Sequence, residues 1–337
     1  MTAIIDITGR YKGIKALVFG ASGFIGSWVT RRLTAEGADL YLVVRPDSAF
    51  KEVFETYSIF GEVLKADLHN SGAAAKIISL VRPDLVFNLA GYGVDRSETD
   101  EAAARRINAE LIAEIAVAAS GVVRDGLDRT RVVHVGSALE YGESRGNFSE
   151  DSLAHPTTLY GSTKLEGTQA LARVCEDTGM IGITARLFTV YGPGEHTGRL
   201  LPSLIDAAGG SCPVKLTAGL QSRDFTYVED VAEGLLRLGL TGLVRGQRVN
   251  LATGKLTTVR DFTERTAHVL TIPSENLLFG TIPVRAEEQK HAPVTVERLR
   301  TLTGWIPTCG IEEGVRRAAE FLGTIQNEEL CSEPRLG

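Results

Sequence analysis

The feature that most restricts the fold is a regular alternation of short apolar segments with helical patterns over the first two thirds of the chain. Segments such as Lys15–Gly20, Leu40–Val44, Leu85–Ala90 and Arg131–Gly136 are apolar on both faces and are followed by helical stretches. Strands of this kind are typical of a parallel sheet covered by helices on both sides, and right-handed crossovers then give a doubly wound fold. The sequence therefore predicts an α/β fold.

The alternation weakens after Leu187, where Pro and Gly residues separate shorter elements. This change predicts a large lobe, residues 12–187 with 224–254, and a smaller α/β lobe, residues 188–223 with 255–326. One Ala-rich helix is expected over Glu101–Ser120. The two ends, Met1–Tyr11 and Asn327–Gly337, are expected to be loosely ordered.

Composition and charge exclude several classes of protein. The chain of 337 residues has a net charge of −6 and no long Lys/Arg stripe, which argues against a nucleic-acid-binding protein. It shows neither a leader-like start nor an apolar run of the roughly 20 residues that span a bilayer. Its four cysteines lie far apart and its six histidines lack ligand spacing, so no metal site is predicted. These features predict a cytoplasmic protein without a membrane partner.

A glycine-rich turn, Gly20-Ala21-Ser22-Gly23-Phe24-Ile25-Gly26, directly follows the first predicted strand and opens the first helix. In this position glycines allow a tight turn and a close approach of the backbone to a pyrophosphate, while the helix N-terminus supplies N–H donors. No Gly-Lys-Ser/Thr follows, which excludes a Walker A loop. The turn predicts a dinucleotide site.

Three further residues predict an oxidoreductase centre. Tyr160 and Lys164 are four residues apart on a predicted helix, Leu159–Thr178, and therefore share one face. A neighbouring ammonium would lower the pKa of the tyrosine towards the range of a general acid or base. Ser137 follows the strand Arg131–Gly136, at the edge where doubly wound folds place their chemistry.

Together these motifs resemble the extended branch of the short-chain dehydrogenase/reductase superfamily. The shared features are the Gly-x-x-Gly-x-x-Gly spacing, the segment Gly136–Gly142 with Ser137, and the Tyr160/Lys164 pair. The resemblance implies a Rossmann sheet that binds NAD(P) in the large lobe, with a substrate-binding smaller lobe. It also implies that Ser137 and Tyr160 hydrogen-bond the reacting oxygen, while Lys164 orients the nicotinamide ribose.

The expected cofactor is NADP(H), with NAD(H) as the alternative. Arg45 ends the second strand, where the NAD-preferring pattern has an acid that binds the ribose 2′-hydroxyl, and a guanidinium suits a 2′-phosphate. In the alternative, Arg45 is a solvated strand end and Asp47 takes the ribose. The residues that the turn and the resemblance assign to the cofactor are Gly20, Ser22, Gly23, Phe24, Ile25, Gly26, Arg45, Ser48, Asp67, Leu68, Leu89, Ala90, Asn108, Tyr160 and Lys164.

Two later segments resemble those of nucleotide-sugar epimerases, dehydratases and reductases: Arg186–Gly194 and Gln221–Asp230. The resemblance implies that Arg223 and Arg285 bind a nucleoside diphosphate, as bidentate guanidinium groups can. At Thr189 the common family residue is a substrate-contacting Asn. The predicted substrate residues are Ala138, Thr189, Arg223 and Arg285.

The residues after Ser137 reduce the choice of reaction. The family's sugar 4,6-dehydratases carry Asp-Glu there, whereas Ala138 and Leu139 cannot transfer a proton. Arg45 favours a 4-ketoreductase that acts on a 4-keto-6-deoxy sugar over an NAD-dependent 4-epimerase. A steroid- or flavonoid-type carbonyl reductase and a non-catalytic dinucleotide sensor are further alternatives. The resemblance also implies a homodimer.

Overall fold

The computed structural model describes residues 4–94, 97–122, 130–143, 147–209, 213–242, 245–284 and 291–331, with side chains up to residue 323. Its strands, in chain order, are β1 Lys15–Phe19, β2 Asp39–Val44, β3 Glu62–Lys65, β4 Leu85–Asn88, β5 Arg131–Ser137, β6 Ile181–Leu187, β7 Thr189–Tyr191, β8 Val214–Lys215, β9 Ser222–Arg223, β10 Phe225–Tyr227, β11 Arg245–Leu251, β12 Thr257–Thr258 and β13 Leu277–Leu278.

The helices surround these strands. They are α1 Phe24–Ala35, α2 Phe50–Thr56, α3 Ala73–Val81, α4 Glu101–Arg105, α5 Leu111–Ser120, α6 Leu159–Thr178, α7 Leu200–Ala208, α8 Val228–Gly239, α9 Val259–Val269, α10 Glu297–Thr303 and α11 Ile311–Cys331.

The described residues form a seven-stranded parallel sheet in the order β3-β2-β1-β4-β5-β6-β11. The chain reverses its direction of travel between β1 and β4, and the carboxyl ends of strands at such a switch point form the ligand crevice of doubly wound folds. The predicted α/β fold with a Rossmann sheet is confirmed. The sheet places the glycine turn after β1 beside the chain that leaves β4.

Helix α6 has the bounds that its local signals predict. Thr158 caps its start, where the hydroxyl accepts a hydrogen bond from Gly161 N at 3.0 Å. Gly179 ends it with a φ of 69°, a left-handed conformation that glycine adopts without strain. These two signals fix where Tyr160 and Lys164 lie.

The predicted Ala-rich helix is interrupted. Residues Arg106–Glu110 form a π-helical segment between α4 and α5. Such segments insert an extra residue into a helical turn and are frequent at functional sites. The segment includes Asn108.

The expectation of loosely ordered ends is wrong for the described part of the N-terminal segment. Ile7 and Tyr11 are 2% and 0% exposed, and Ile5 N donates to Thr303 O at 2.9 Å. Tyr11 Oη donates to Leu236 O at 2.5 Å, so this segment fastens onto α8 and the end of α10. At the other end, α11 continues to Cys331, and whether the segment from Asn327 is loosely ordered stays a prediction.

The division into two lobes stays a prediction. Three small two-stranded sheets, β7–β10, β9–β12 and β8–β13, lie outside the main sheet. One buried hydrophobic cluster nevertheless joins residues of both predicted lobes, including Val18, Leu235, Phe262, Leu299 and Val315. Among the described residues, no helix combines the length and apolar character that crossing a membrane requires, and no group of metal-ligating side chains is found.

Candidate active site

The turn between β1 and α1 needs glycine at two positions for different reasons. Gly20 has a φ of 77°, and a Cβ there would lie 2.9 Å from Ala90 N and from the carbonyl carbon of Leu89. At Gly26 a Cβ would overlap the carbonyl oxygen of Gly20. Helix α1 begins after Gly23, which has no side chain to cap its first N–H groups. These groups can receive an anion, as the predicted pyrophosphate site requires.

The end of β2 is cationic. Arg45 is exposed, and Ser48 Oγ donates to the Arg45 carbonyl at 2.9 Å. The Lys65 ammonium, at the end of the neighbouring β3, lies 5.3 Å from the centre of the Phe50 ring. Asp47 is also exposed, so both groups that the sequence proposed for the ribose are accessible.

The loop after β3 is held by its own hydrogen bonds and by Arg106. Asp67 accepts from His69 N at 3.0 Å, and this bond lowers the pKa of the Asp67 carboxyl. Leu68 is 8% exposed and packs into a hydrophobic cluster. Arg106 donates through Nε to His69 O and through Nη2 to Asn70 O, both at 3.2 Å. The loop predicted to contact the cofactor is thereby tied to the π-helical segment.

Asn108 joins two elements at the site. It is 0% exposed, and its Oδ1 accepts from Tyr92 N at 3.0 Å. Its Nδ2 donates to Tyr92 O and to Thr163 Oγ1, both at 2.9 Å. Asn108 therefore connects the loop after β4 with the helix that carries Tyr160. Its expected contact with the cofactor stays a prediction.

Ser137, Tyr160 and Lys164 come together at the carboxyl end of β5. The Ser137 side chain hydrogen-bonds Tyr160, and Lys164 is 2% exposed one turn further along α6. A Cβ at Gly93 would lie 3.2 Å from the ring of Tyr160, so the loop after β4 packs against this ring. The geometry thus unites the three predicted catalytic residues.

The electrostatics of this group differ from the sequence expectation. Burial, and after it the charge of the Glu140 carboxylate, raise the pKa of Tyr160 to about 12. Burial lowers the pKa of Lys164 to about 8, while Glu140 acts in the opposite direction. The prediction of a lowered tyrosine pKa is therefore wrong for the chain's own groups, because removal from water and the Glu140 charge outweigh the effects of Arg199 and Ser137, which lower this pKa.

Two buried residues beside the site escaped the sequence analysis. Glu140 is 0% exposed and contacts the backbone of Ser137; the Ser-x-x-Glu pattern of a capping box was the available signal. His134 is 0% exposed and its Nδ1 lies 3.2 Å from Asn88 Nδ2. Burial lowers the pKa of His134 well below its ordinary value, and the charge of Lys164 lowers it further. No local pattern marks His134, since a single histidine in a strand is usually a core residue.

The predicted substrate residues are spread over three elements. Ala138 is 3% exposed beside Ser137, and Thr189 begins β7, where its N donates to Asp224 O at 3.0 Å. Arg223 lies on β9 and donates through Nη1 to Ser222 O at 2.8 Å. Arg223 is close to His291. The pKa of His291 is lowered to about 3, mainly by burial and in addition by the charge of Arg223. Arg285 lies outside the described residues.

Comparison with known proteins agrees with this geometry. The model of the NAD dependent epimerase/dehydratase family matches residues 16–252, from β1 to the end of the main sheet. The chain belongs to this family. As a member of it, the chain carries the glycine turn, Ser137 and the Tyr160/Lys164 pair within the matched region. The resemblance to extended short-chain dehydrogenase/reductases that act on nucleotide sugars is confirmed.

Curated relatives of this family member include enzymes with different reactions. It is 28% identical over 315 residues to a dTDP-6-deoxy-L-talose 4-dehydrogenase (NAD(P)(+)) from Kitasatospora kifunensis, covering 90% of this chain and 93% of the relative. It is 27% identical over 321 residues to a UDP-glucose 4-epimerase from Mycolicibacterium smegmatis, covering 91% and 98%. These relatives indicate a nucleotide-sugar enzyme and leave its reaction open.

Two solved structures resemble this chain over more than nine-tenths of its length. The structure of MoeE5 in complex with UDP-glucuronic acid and NAD is 26% identical, with a TM-score of 0.77, and covers 92% of this chain and 99% of that chain. An epimerase from Methanothermobacter thermautotrophicus has a TM-score of 0.84 at 24% identity and covers 98% of each chain. The second similarity shows the fold alone.

Proposed function

We propose that this protein is an NAD(P)-dependent oxidoreductase that reduces the 4-keto group of a nucleoside-diphosphate 4-keto-6-deoxy sugar, with Tyr160 as general acid. The observation that carries the proposal is the Ser137–Tyr160–Lys164 group beside the proton-inert side chains Ala138 and Leu139. One proton donor next to a hydride donor is sufficient for a ketone reduction. A dehydration would need a further acid and base.

The glycine turn fits the cofactor that this reaction needs. Gly20 and Gly26 leave room where a Cβ would collide with backbone, and the uncapped start of α1 offers N–H groups to a pyrophosphate. Arg45 supports a preference for NADP(H), because a guanidinium binds a 2′-phosphate well. When bound, the nicotinamide supplies the hydride and carries the redox chemistry.

The residues of the chain then handle the oxygen and its proton. Ser137 and Tyr160 hydrogen-bond the C4 carbonyl, and Tyr160 donates its phenolic proton to the oxygen as C4 accepts the hydride. The product is the C4 alcohol, and the tyrosinate regains a proton from solvent. Lys164 remains protonated through this step and stabilises the tyrosinate by its charge. Arg223, with Arg285, binds the diphosphate.

A relative's reaction supports the direction of this proposal. The enzyme from Kitasatospora kifunensis is named a 4-dehydrogenase of dTDP-6-deoxy-L-talose with NAD(P)(+), which is the reverse of a 4-keto reduction.

We also propose that the protein forms a homodimer, as its resemblance to the superfamily implies.

An NAD-dependent nucleotide-sugar 4-epimerase is the second candidate. Asp47 is exposed two residues after Arg45 and could take the ribose 2′-hydroxyl of NAD. The epimerase from Mycolicibacterium smegmatis covers a similar share of the chain, which supports this alternative. An epimerase retains its cofactor and returns the hydride to the opposite face of the sugar.

The decisive experiment measures both activities on one preparation. Purified protein is incubated with NADPH or NADH and a panel of nucleoside-diphosphate 4-keto-6-deoxy sugars, and in parallel with NAD and UDP-hexoses or UDP-uronates. We expect loss of NADPH absorbance and a sugar alcohol as product. Interconversion of the UDP-sugars without net cofactor turnover would refute the reductase. The Tyr160→Phe variant is the matched control; if it retained full cellular function, a non-catalytic dinucleotide sensor would be favoured instead.

A further inference from the structure

One buried carboxylate joins the three elements that meet at the candidate site. Glu140 Oε1 accepts from Ser137 N at 2.8 Å. Its Oε2 accepts from Thr168 Oγ1 at 3.1 Å and from Arg186 Nε at 2.9 Å. Thr168 lies one turn beyond Lys164 on α6, and Arg186 lies on β6. Glu140 is therefore connected to the serine strand β5, to the tyrosine helix α6 and to β6, the neighbour of β5 in the sheet.

The same carboxylate fixes the direction of the serine hydroxyl. Glu140 holds Ser137 N while the Ser137 Oγ accepts from Leu139 N at 3.2 Å, and the two bonds together form a capping box. This bond uses one lone pair of the hydroxyl, so its proton remains available for Tyr160 or for a substrate oxygen in the site.

The chain makes room for this carboxylate at Gly136. A Cβ there would overlap Glu140 Oε1 and would lie 2.8 Å from Thr184 Cγ2. The Glu140–Arg186 ion pair is fully buried, with both side chains 0% exposed. A buried ion pair contributes little net stability compared with apolar packing, so its presence here invites a role in geometry.

We propose that Glu140 is a positioning residue, which holds Ser137 in line with Tyr160 and adds a fixed negative charge behind the Tyr160–Lys164 pair. The inference rests on the proposed function, in which these three residues handle the carbonyl oxygen. Glu140 itself touches no reacting atom. It acts through the Ser137 backbone and through its charge.

The effect of the Glu140 charge can be measured in the pH dependence of the reaction rate. Glu140 raises the pKa of Tyr160 and of Lys164, so removal of its charge lowers both. Reduction is lost when pH rises through the pKa of Lys164, because the ammonium is then neutralised. The basic limb of the pH–rate profile must therefore move to lower pH when Glu140 is neutral. The other titratable groups that act on this pair are Glu98 and Arg199 near Tyr160, and His134 near Lys164.

The test compares two Glu→Gln variants. Glu140→Gln removes the charge at the site, whereas Glu233→Gln removes a carboxylate on α8 that pairs with Arg237 at 2.6 Å. Both break an ion pair and lower thermal stability. Assayed below their unfolding temperatures with the 4-keto sugar that wild type reduces, only Glu140→Gln is expected to lower kcat by about tenfold or more. Its basic limb is expected to move to lower pH by about one unit or more, with KM nearly unchanged.

Glu140→Asp separates charge from position and serves if Glu140→Gln does not fold. It keeps the carboxylate but shortens its reach, so the basic limb should return to the wild-type pH while kcat stays low. Wild-type kcat in Glu140→Asp, or a Glu140→Gln profile equal to that of Glu233→Gln, would overturn the inference.

Crystal structures of wild type and Glu140→Asp test the positioning of Ser137 independently of the proposed function. In Glu140→Asp, Ser137 Oγ is expected to shift relative to the Tyr160 hydroxyl by more than about 0.5 Å, the tolerance of a working site. This comparison needs no substrate. If wild type reduces no sugar but the shift is found, the proposed function fails and the positioning of Ser137 stands; an unmoved Ser137 overturns the positioning.

Discussion

Asn108 offers a test of how the buried π-helical segment supports the site. Asn108→Ala removes three hydrogen bonds: one from Tyr92 N, one to Tyr92 O and one to Thr163 Oγ1. At about 1 kcal/mol for each bond, the free energy of unfolding should fall by about 3 kcal/mol. For a chain of 337 residues this corresponds to a fall of about 4 °C in Tm.

The same change should reduce catalysis at a temperature where the variant is folded. The loop that Asn108 holds packs its Gly93 against the Tyr160 ring, where a Cβ would lie 3.2 Å away. Loosening this loop and Thr163 lets Tyr160 move, and a misplacement on the order of 1 Å can cost about a hundredfold in rate. We expect kcat to fall by about tenfold to a hundredfold.

Asn250→Ala is the matched control for this variant. Asn250 is also 0% exposed and also makes three side-chain bonds: it donates to Phe148 O and Thr295 O and accepts from Tyr141 Oη. It should lose similar stability with a much smaller change in kcat. The measurements are chemical denaturation, thermal unfolding and steady-state kinetics. Equal losses of kcat in the two variants, or full activity in Asn108→Ala, would refute the reasoning.

Three further predictions concern the cofactor turn, its specificity and pH. Gly26→Ala places a methyl group on the Gly20 carbonyl oxygen, so nucleotide affinity measured by NAD(P)H fluorescence should fall by more than about tenfold while α1 remains helical by circular dichroism. Arg45→Asp should shift the ratio of kcat/KM values from NADPH towards NADH by at least about tenfold; an unchanged ratio would remove Arg45 from the 2′ site. Burial raises the pKa of Glu195 to about 8, so its proton stabilises the fold below the ordinary carboxyl pKa and this stability is lost as pH rises to about 8. Glu195→Gln should therefore be more stable than wild type at alkaline pH, with the difference vanishing in acid; equal pH dependence of the two Tm values would contradict this.

The main sheet could be predicted because its information is local. The strands that became β1, β4 and β5 are apolar segments with clear breaks, and α6 is bounded by a threonine cap and a glycine stop. The N-terminal end was mispredicted for the opposite reason. Tyr11 is buried through contacts with α8, more than two hundred residues away in sequence, and nothing near it records that contact.

In the candidate site too, the residues marked by local patterns could be predicted, whereas those that depend on distant contacts could not. The identity and proximity of Tyr160 and Lys164 follow from helical spacing, and Ser137 follows from its place after a strand. The Glu140 anchor depends on partners in two other elements, Thr168 and Arg186, which a local motif does not contain. The Ser-x-x-Glu pattern indicated the cap but not the ion pair.

The protonation of Tyr160 shows why the spacing of Tyr160 and Lys164 alone predicts the wrong direction for the pKa shift of the tyrosine. Spacing places Lys164 near the phenol and so predicts a lowered pKa, yet burial acts on both groups at once. Burial disfavours both charged forms, the tyrosinate and the ammonium. The pKa of Tyr160 is therefore raised to about 12 and that of Lys164 is lowered to about 8. With Tyr160 neutral and Lys164 still largely protonated near neutral pH, the pair is set to donate a proton rather than to accept one. This protonation state suits reduction of a ketone, and alkaline pH would favour the oxidation of an alcohol.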